Sequence, residues 1–212
     1  MNWFTSDHHF NHENIRGYCN RPFSSTEEMN EAMISRWNSC VLDSDTVYHI
    51  GDMFLGRPEN AIEIVKRLKG HKILIAGNHD RSSKTMLECG FDEVYKKMDF
   101  TFKNGKRALL RHKPLPESLL TSYDFQIHGH AHSGEVVNGK RLNVCVDLWG
   151  FQPISEDEIC DIKFQSQSLD LIEISNDGNL IQITATIRKE DMDGFADHLS
   201  EYTRKLSYTQ DS

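Results

Sequence analysis

Residues 72–80 read Lys-Ile-Leu-Ile-Ala-Gly-Asn-His-Asp, an apolar run that stops at a glycine and is followed at once by three polar side chains. A short apolar run bounded by a glycine is typical of a strand buried inside a sheet. An earlier stretch has the same form, because the strand-like run over 45–50 leads directly into Gly51 and Asp52. We therefore predict two buried strands, over 45–50 and 72–76, with polar residues at their carboxyl ends.

The segments around these strands predict helices. Ser25 and Glu28 have capping-box spacing at the start of a helix over 26–40. Pro58 suits the first turn of a second helix, and Gly70 marks its end. With a first strand over 2–6, strands and helices alternate in this half of the chain, which indicates an α/β fold with a partly parallel sheet.

The second half of the chain changes character. Asn104-Gly105 and Asn138-Gly139 are two-residue hairpin signals between strand-like segments, so we expect a second, mixed or antiparallel sheet. A helix is predicted within 155–165. We place a core at residues 1–165 and a C-terminal extension at 166–212, made of a β-hairpin over 169–187 and a helix over 190–206 that pack on or beside the core.

Composition excludes some classes of function. The chain has 212 residues and a formal net charge of -8, which argues against a protein that coats nucleic acid through a basic face. It does not exclude a nuclease, in which metal ions supply the positive charge. No signal peptide and no apolar run of about 18 residues is visible, so we expect no membrane partner. The five cysteines are scattered and lack C-x-x-C spacing, which is typical of reduced thiols in a cytoplasmic protein.

Polar blocks at the carboxyl ends of the predicted strands carry the chemistry. The loops at that edge of an open α/β sheet converge on one crevice, and carboxylate, amide and imidazole ligands together suit Mn, Fe, Zn, Co or Ni. A two-metal site needs a carboxylate that bridges ions about 3.5–4 Å apart, and Asp52, in its tight Gly-Asp turn, is the best candidate. The blocks are residues 6–10, 51–52, 77–80, 111–114 and 128–132.

In order, the blocks contain D-x-H, G-D, G-N-H-D, a histidine and G-H-x-H. This set resembles the calcineurin-like metallophosphoesterase superfamily over residues 7–132, and residues 143–149 (Asn-Val-Cys-Val-Asp-Leu-Trp) resemble its small single-domain bacterial and phage members. The resemblance implies a four-layer α-β-β-α sandwich with two mixed β-sheets. It also implies a cofactor of two divalent transition-metal ions, for which we expect manganese, with Fe, Zn, Ni and Co as alternatives.

The resemblance also implies a role for each residue of the motifs. One metal ion would be bound by Asp7, His9 and His132, and the other by Asn78, His112 and His130, with Asp52 between them. His79 would be the catalytic histidine that binds no metal and lies near the leaving group, and Asp80 would orient it.

Two features depart from the family pattern. Met53-Phe54-Leu55 replaces an acidic residue that follows the Gly-Asp motif in some members, and Lys113 stands where an aromatic residue is expected. Lys113, His12 and Arg16 are the predicted substrate contacts, because cationic side chains suit phosphate.

The remaining histidines have competing interpretations. We expect packing or surface roles for His8, His49, His71 and His198. His128 and Asp147 are candidates to support a ligand histidine from behind, against plain packing for His128 and a simple turn for Asp147.

The predicted function is hydrolysis of a phosphoester by a hydroxide that bridges two metal ions. A phosphodiesterase or phosphatase acting on a small nucleotide-like substrate is preferred, without an extended nucleic-acid interface. The alternatives are a nuclease or protein phosphatase with the same metals, and a non-catalytic metal-binding scaffold. A homodimer contact through the C-terminal extension stays open.

Overall fold

The computed structural model describes residues 1–164. The hairpin predicted over 169–187 and the helix predicted over 190–206 lie outside these residues, as does the rest of the proposed extension 166–212. Among the described residues, no helix has both the length and the apolar character needed to cross a bilayer.

Five strands form the first sheet, and the parallel ones are β1, β2, β3 and β4. The sheet has the order β10-β1-β2-β3-β4, in which only β10 runs antiparallel to its neighbour. Its strands are β1 (Asn2–Thr5), β2 (Thr46–His49), β3 (His71–Ile75), β4 (Glu93–Tyr95) and β10 (Ile154–Ser155).

The second sheet also has five strands and also mixes directions. Its order is β5-β6-β7-β9-β8, with β6, β7 and β9 parallel and a hairpin partner at each edge. The predicted pair of mixed sheets is therefore confirmed. The strands are β5 (Met98–Thr101), β6 (Arg107–Leu110), β7 (Phe125–His128), β8 (Val137–Asn138) and β9 (Arg141–Asn143).

Helices cover the first sheet, and apolar side chains join the two sheets. One buried cluster unites apolar residues of α2, α3 and α4 with Val47 and Leu74 of the first sheet. A second cluster joins Phe4 and Ile75 of the first sheet to residues of the second sheet, such as Leu110. The described residues thus form a helix layer and two packed sheets. The helices are α1 (Ile15–Tyr18), α2 (Thr26–Cys40), α3 (Pro58–Val65), α4 (Ser83–Glu88) and α5 (Glu156–Asp161).

Helix α2 has the predicted bounds, but its predicted capping box is only half formed. Ser25 Oγ accepts a hydrogen bond from the backbone N–H of Glu28 at 3.0 Å. The Glu28 carboxylate instead accepts from the backbone N–H and hydroxyl of Ser24. The spacing rule identified Ser25 correctly as the N-cap. The Glu28 carboxylate binds Ser24 in place of Ser25, because Ser24 offers it two donors.

Three other details differ from the sequence-based predictions. Helix α3 ends at Val65, and turns lead on to Gly70. The Asn104-Gly105 turn is longer than two residues, because Phe102 N–H donates to Lys106 O and leaves three residues between them. Helix α4 was not predicted.

Candidate metal centre

The predicted polar blocks follow the carboxyl ends of five parallel strands: β1, β2 and β3 in the first sheet and β6 and β7 in the second. Backbone hydrogen bonds link neighbouring blocks, since Asp7 N–H donates to Gly51 O at 2.9 Å and His9 N–H donates to Asp52 O at 3.1 Å. The two sheets therefore contribute side chains to one site.

Asp7, His9 and His132 form the first ligand group. One potential ligand atom from each lies within 4.8 Å of the others. Asp7 Oδ1 is 4.0 Å from His9 Nε2 and 3.8 Å from His132 Nε2. These are the three residues that the resemblance assigned to one metal ion.

Asp52, His112 and His130 form the second group, with ligand atoms again within 4.8 Å of one another. His112 Nε2 lies 3.3 Å from Asp52 Oδ2, and the rings of His112 and His130 are 5.2 Å apart between centroids. Asn78, the fourth predicted ligand here, is exposed in the loop after β3, and its role as a ligand stays a prediction.

Asp52 lies between the two groups. Its Oδ2 is 3.3 Å from His112 Nε2 in the second group and 3.7 Å from His9 Nε2 in the first. Its Oδ1 accepts the backbone N–H of His79 at 2.9 Å, which fixes the orientation of the carboxylate. This position is the one that a bridging carboxylate requires.

His112 and His132 each use one ring nitrogen for a contact outside the ligand groups. His112 Nδ1 donates to Ile50 O and His132 Nδ1 hydrogen-bonds to Asp147 Oδ2, both at 2.8 Å, so that each Nε2 is left to face the carboxylates. Nε2 of His9 and of His112 is buried and has no hydrogen-bond partner among residues 1–164. A buried imidazole nitrogen without a partner is costly in a folded protein unless an ion or water satisfies it, so this donor set fits divalent cations.

Burial shifts the pKa values of His9 and Asp7, two members of the first group. Burial lowers the pKa of His9 to about 3 and outweighs the attraction of Asp52. The His9 ring is therefore neutral at neutral pH and offers a lone pair to a metal ion. Burial also raises the pKa of Asp7 to about 6, although His112 and the Ser6 hydroxyl act in the opposite direction. A bound cation would oppose that rise.

The ligand loops adopt a backbone that side chains rarely take. Asp7, His9, Asp52 and His130 have φ angles of 59°, 50°, 58° and 71°. Left-handed φ at a residue other than glycine costs about 1–3 kcal/mol and concentrates at functional sites. Gly51 has φ +91°, and a Cβ there would lie 2.6 Å from both Gly77 N and His112 Nδ1. The Gly-Asp turn thus needs glycine both for its φ and for its close packing.

His79 and Asp80, the two predicted catalytic residues, have different surroundings. The His79 side chain is 46% exposed, and its Nε2 lies 3.9 Å from Asp52 Oδ2, beside the ligands and open to solvent. The role of Asp80 in orienting His79 stays a prediction. The Asp80 carboxylate accepts the backbone N–H groups of Asp52, Met53 and Gly77 at 2.7–2.9 Å, so it ties two ligand loops together.

The three predicted substrate contacts have different surroundings. The His12 ring lies 5.6 Å from the His9 ring, so His12 borders the first ligand group. Lys113 is exposed and directly follows His112. Arg16 Nη1 donates to the backbone carbonyls of Phe23 and Ser24 at 3.2 and 2.7 Å, so this nitrogen holds a loop.

Among the supporting residues, Asp147 is confirmed as the partner of a ligand histidine, His132. His8 and His49 are confirmed as packing residues, because both are fully buried and hydrogen-bond to each other at 2.9 Å. His128 hydrogen-bonds to the carbonyl of Gly129.

Sequence reasoning assigned no role to Arg21, which binds Asp147 through two nitrogens. No local pattern around Arg21 indicates that contact, which spans 126 residues of chain.

Comparison with known proteins agrees with this geometry. The family model described as calcineurin-like phosphoesterase matches residues 3–149. The chain belongs to the calcineurin-like phosphoesterase family. Membership makes this calcineurin-like phosphoesterase a metal-dependent phosphoester hydrolase, and the two ligand groups are its candidate metal sites.

Relatives of this calcineurin-like phosphoesterase span most of its length. It is 37% identical over 166 residues to the uncharacterized protein MJ1445 of Methanocaldococcus jannaschii, covering 74% of this chain and 88% of that one. It is 26% identical over 193 residues to the gene 66 protein of Mycobacterium phage L5, covering 76% and 92%. The crystal structure of AQ665 from Aquifex aeolicus, a protein of unknown function, superposes with a TM-score of 0.62 at 31% identity, covering 76% and 97%.

Proposed function

We propose that this calcineurin-like phosphoesterase uses two divalent ions to hydrolyse a small nucleotide-like phosphoester, a phosphodiester in preference to a phosphomonoester. The position of Asp52 carries the proposal. One oxygen of its carboxylate lies 3.7 Å from a nitrogen of the first ligand group and 3.3 Å from a nitrogen of the second. A site for a single ion would not need a carboxylate of one ligand group that also faces a nitrogen of the other group.

The chain's own residues would divide the work. Bound divalent ions would lower the pKa of a water shared between them and polarise the phosphoryl oxygens. His79, which lies beside Asp52 and is open to solvent, would donate a proton to the departing oxygen. Asp80 would hold the loops that carry Asp52 and His79 in register through its three backbone hydrogen bonds.

Exposure and charge favour a small substrate. His79 and His130 are exposed at the edge of the site, so a phosphate group reaches the ligands without passing through the core. The net charge of -8 disfavours a long polyanion, which a basic face would bind. A nuclease or protein phosphatase with the same metals is the alternative.

The proposal also includes finer points. They are the four-layer order of the fold, manganese as the native ion, Asn78 as a ligand, contacts from His12, Arg16 and Lys113 to the substrate, and action in the cytoplasm. A homodimer contact remains part of the proposal and would be tested by the molar mass in solution.

The test is a hydrolysis panel with the full chain. Nucleoside monophosphates, linear dinucleotides, cyclic nucleotides, single-stranded oligonucleotides and a phosphopeptide are each offered with Mn, Ni, Co, Zn or Mg after chelation. We expect the highest kcat/KM on a small diester, with manganese. Turnover of only oligonucleotides or the phosphopeptide would favour the alternative, and two bound ions with no turnover of any substrate would favour a scaffold.

A further inference from the structure

Arg21 is a buried cation next to the first ligand group. Its side chain is completely inaccessible to solvent, and a guanidinium in that position must have its donors satisfied. Nε and Nη2 donate to the two oxygens of Asp147, each at 2.8 Å. Nη1 donates to His8 O and Nη2 also donates to Asp7 O, each at 2.7 Å.

The two carbonyl contacts hold the loop that carries Asp7 and His9. Both of these ligands have left-handed backbone, with φ of 59° and 50°, and this conformation persists only where surrounding contacts impose it. Arg21 binds the carbonyls of Asp7 and His8, which belong to the two peptide groups that join Asp7 to His9. It therefore stabilises the turn that aims both side chains at one point.

The contact with the Asp147 carboxylate links Arg21 to His132, the third member of the first group. Asp147 Oδ2 accepts from Arg21 and also hydrogen-bonds to His132 Nδ1 at 2.8 Å. This second bond leaves His132 Nε2 directed at Asp7 Oδ1, 3.8 Å away. One guanidinium thus contacts Asp7, the peptide group that precedes His9 and, through Asp147, His132.

The second group is held by other means. His112 is oriented by the carbonyl of Ile50, and Asp52 is oriented by the backbone N–H of His79. Neither of these two contacts involves Arg21 or Asp147, so a change at Arg21 removes neither of them directly.

We propose that Arg21 is a positioning residue that selectively organises the Asp7–His9–His132 ligand group and so determines the affinity of one of the two metal ions. The inference rests on the proposed two-ion function. A purely structural ion pair would instead change the stability of the protein and leave the relative affinities of the two ions as they are.

The test measures Mn²⁺ binding to the chelated full chain by calorimetry. Arg21→Lys keeps the charge but cannot donate to both oxygens of Asp147 and to two carbonyls. We expect one ion to bind about 10- to 100-fold more weakly, as when outer partners of metal ligands are removed, and the other to bind as in the wild type. Excess Mn²⁺ should restore turnover.

Reference variants identify the affected ion. His132→Ala disables the first group and His130→Ala disables the second, and Arg21→Lys should reproduce the pattern of His132→Ala. Arg36→Lys is the matched control, because Arg36 also donates to a backbone carbonyl, that of Gly150, and lies over the ring of Phe151 as Arg21 does. Its binding of both ions should be unchanged.

Distinct outcomes overturn the inference and the proposed function. If Arg21→Lys weakens the binding of both ions equally, or of neither ion, the proposed role of Arg21 is wrong. A wild-type chain that binds fewer than two ions instead overturns the two-ion function. If Arg21→Lys does not fold, Asp147→Asn tests the same connection through His132. This variant should weaken the binding of the same ion.

Discussion

The His79 side chain is much more exposed than those of two proposed ligand histidines, His9 and His112. Its side chain is 46% accessible, whereas those of His9 and His112 are each 3% accessible. A metal ligand gains from a fixed, buried position, but a proton donor must meet a leaving group that arrives from solvent. This difference is compatible with the proposed roles, in which His9 and His112 bind metal and His79 donates a proton.

Replacing His79 by alanine tests that separation. We expect His79→Ala to bind both metal ions and to lose at least about 10²-fold in kcat, the lower range for a positioned acid. Metal content by mass spectrometry and kcat on the best substrate of the panel provide the two readouts. A variant with wild-type turnover would remove His79 from the reaction.

Replacement of Asp52 should lower metal binding, in contrast to replacement of His79. Asp52→Asn keeps the shape but removes the charge that lies between the two groups, so we expect metal occupancy to fall below two ions per chain. Asp45→Asn serves as a control, because Asp45 binds the N-terminal amine and Trp3 away from the site. Two full sites in Asp52→Asn would contradict bridging.

At the scale of elements, the capping box of α5 links strand β10 to the helix. Ser155 accepts the backbone N–H of Glu158 at 3.2 Å, and the Glu158 carboxylate accepts from Ser155 N–H and Oγ. The strand ends at the residue that caps the helix, so one serine serves both elements.

Removal of this cap should lower stability without changing the metal site. We expect Ser155→Ala to reduce the free energy of unfolding by about 1 kcal/mol, measured by urea denaturation. Ser39→Ala is the control, since the Ser39 hydroxyl bonds only the helix carbonyl of Arg36, a bond that does not stabilise helices. Equal losses in the two variants would show that the cap contributes nothing.

Sequence patterns predicted the elements whose signals are local. A glycine and a polar residue directly after an apolar run marked the ends of β2 and β3, and Ser25 marked the start of α2. The length of the Asn104-Gly105 turn was missed because register is decided by pairing of Phe102 with Lys106 across the sheet.

The missed features of the site depend on contacts between distant segments. The Asp80 carboxylate folds back to backbone groups that include Asp52 and Met53, 28 and 27 residues away. Arg21 meets Asp147 across 126 residues. Motif spacing located the ligands, but it contains no information on which nearby groups a carboxylate or guanidinium will bind once the loops converge.

At the scale of the whole molecule, two buried apolar clusters lie within the described fold, and neither includes a proposed metal ligand. Metal removal should therefore leave a folded apo protein of lower stability. Each ion present at 100 times its Kd should add about 2.7 kcal/mol to the free energy of unfolding, which corresponds to roughly 5–10 °C in Tm for a chain of this size.

Thermal unfolding with increasing Mn²⁺ after chelation measures this gain. Asp52→Asn should show a smaller rise in Tm than the wild type, because it retains fewer ions. An unfolded apo protein by circular dichroism, or a Tm that does not respond to Mn²⁺, would contradict the expectation.

Each ligand group takes side chains from both sheets. In the first, Asp7 and His9 follow β1 while His132 follows β7, and in the second, Asp52 follows β2 while His112 and His130 follow β6 and β7. A pair of bound ions would thus connect the two sheets at a single edge, in addition to the apolar packing between them. Sliding of one sheet past the other would then require release of metal. The metal-loaded protein should therefore resist a pulling force across the two sheets more strongly than the chelated protein does.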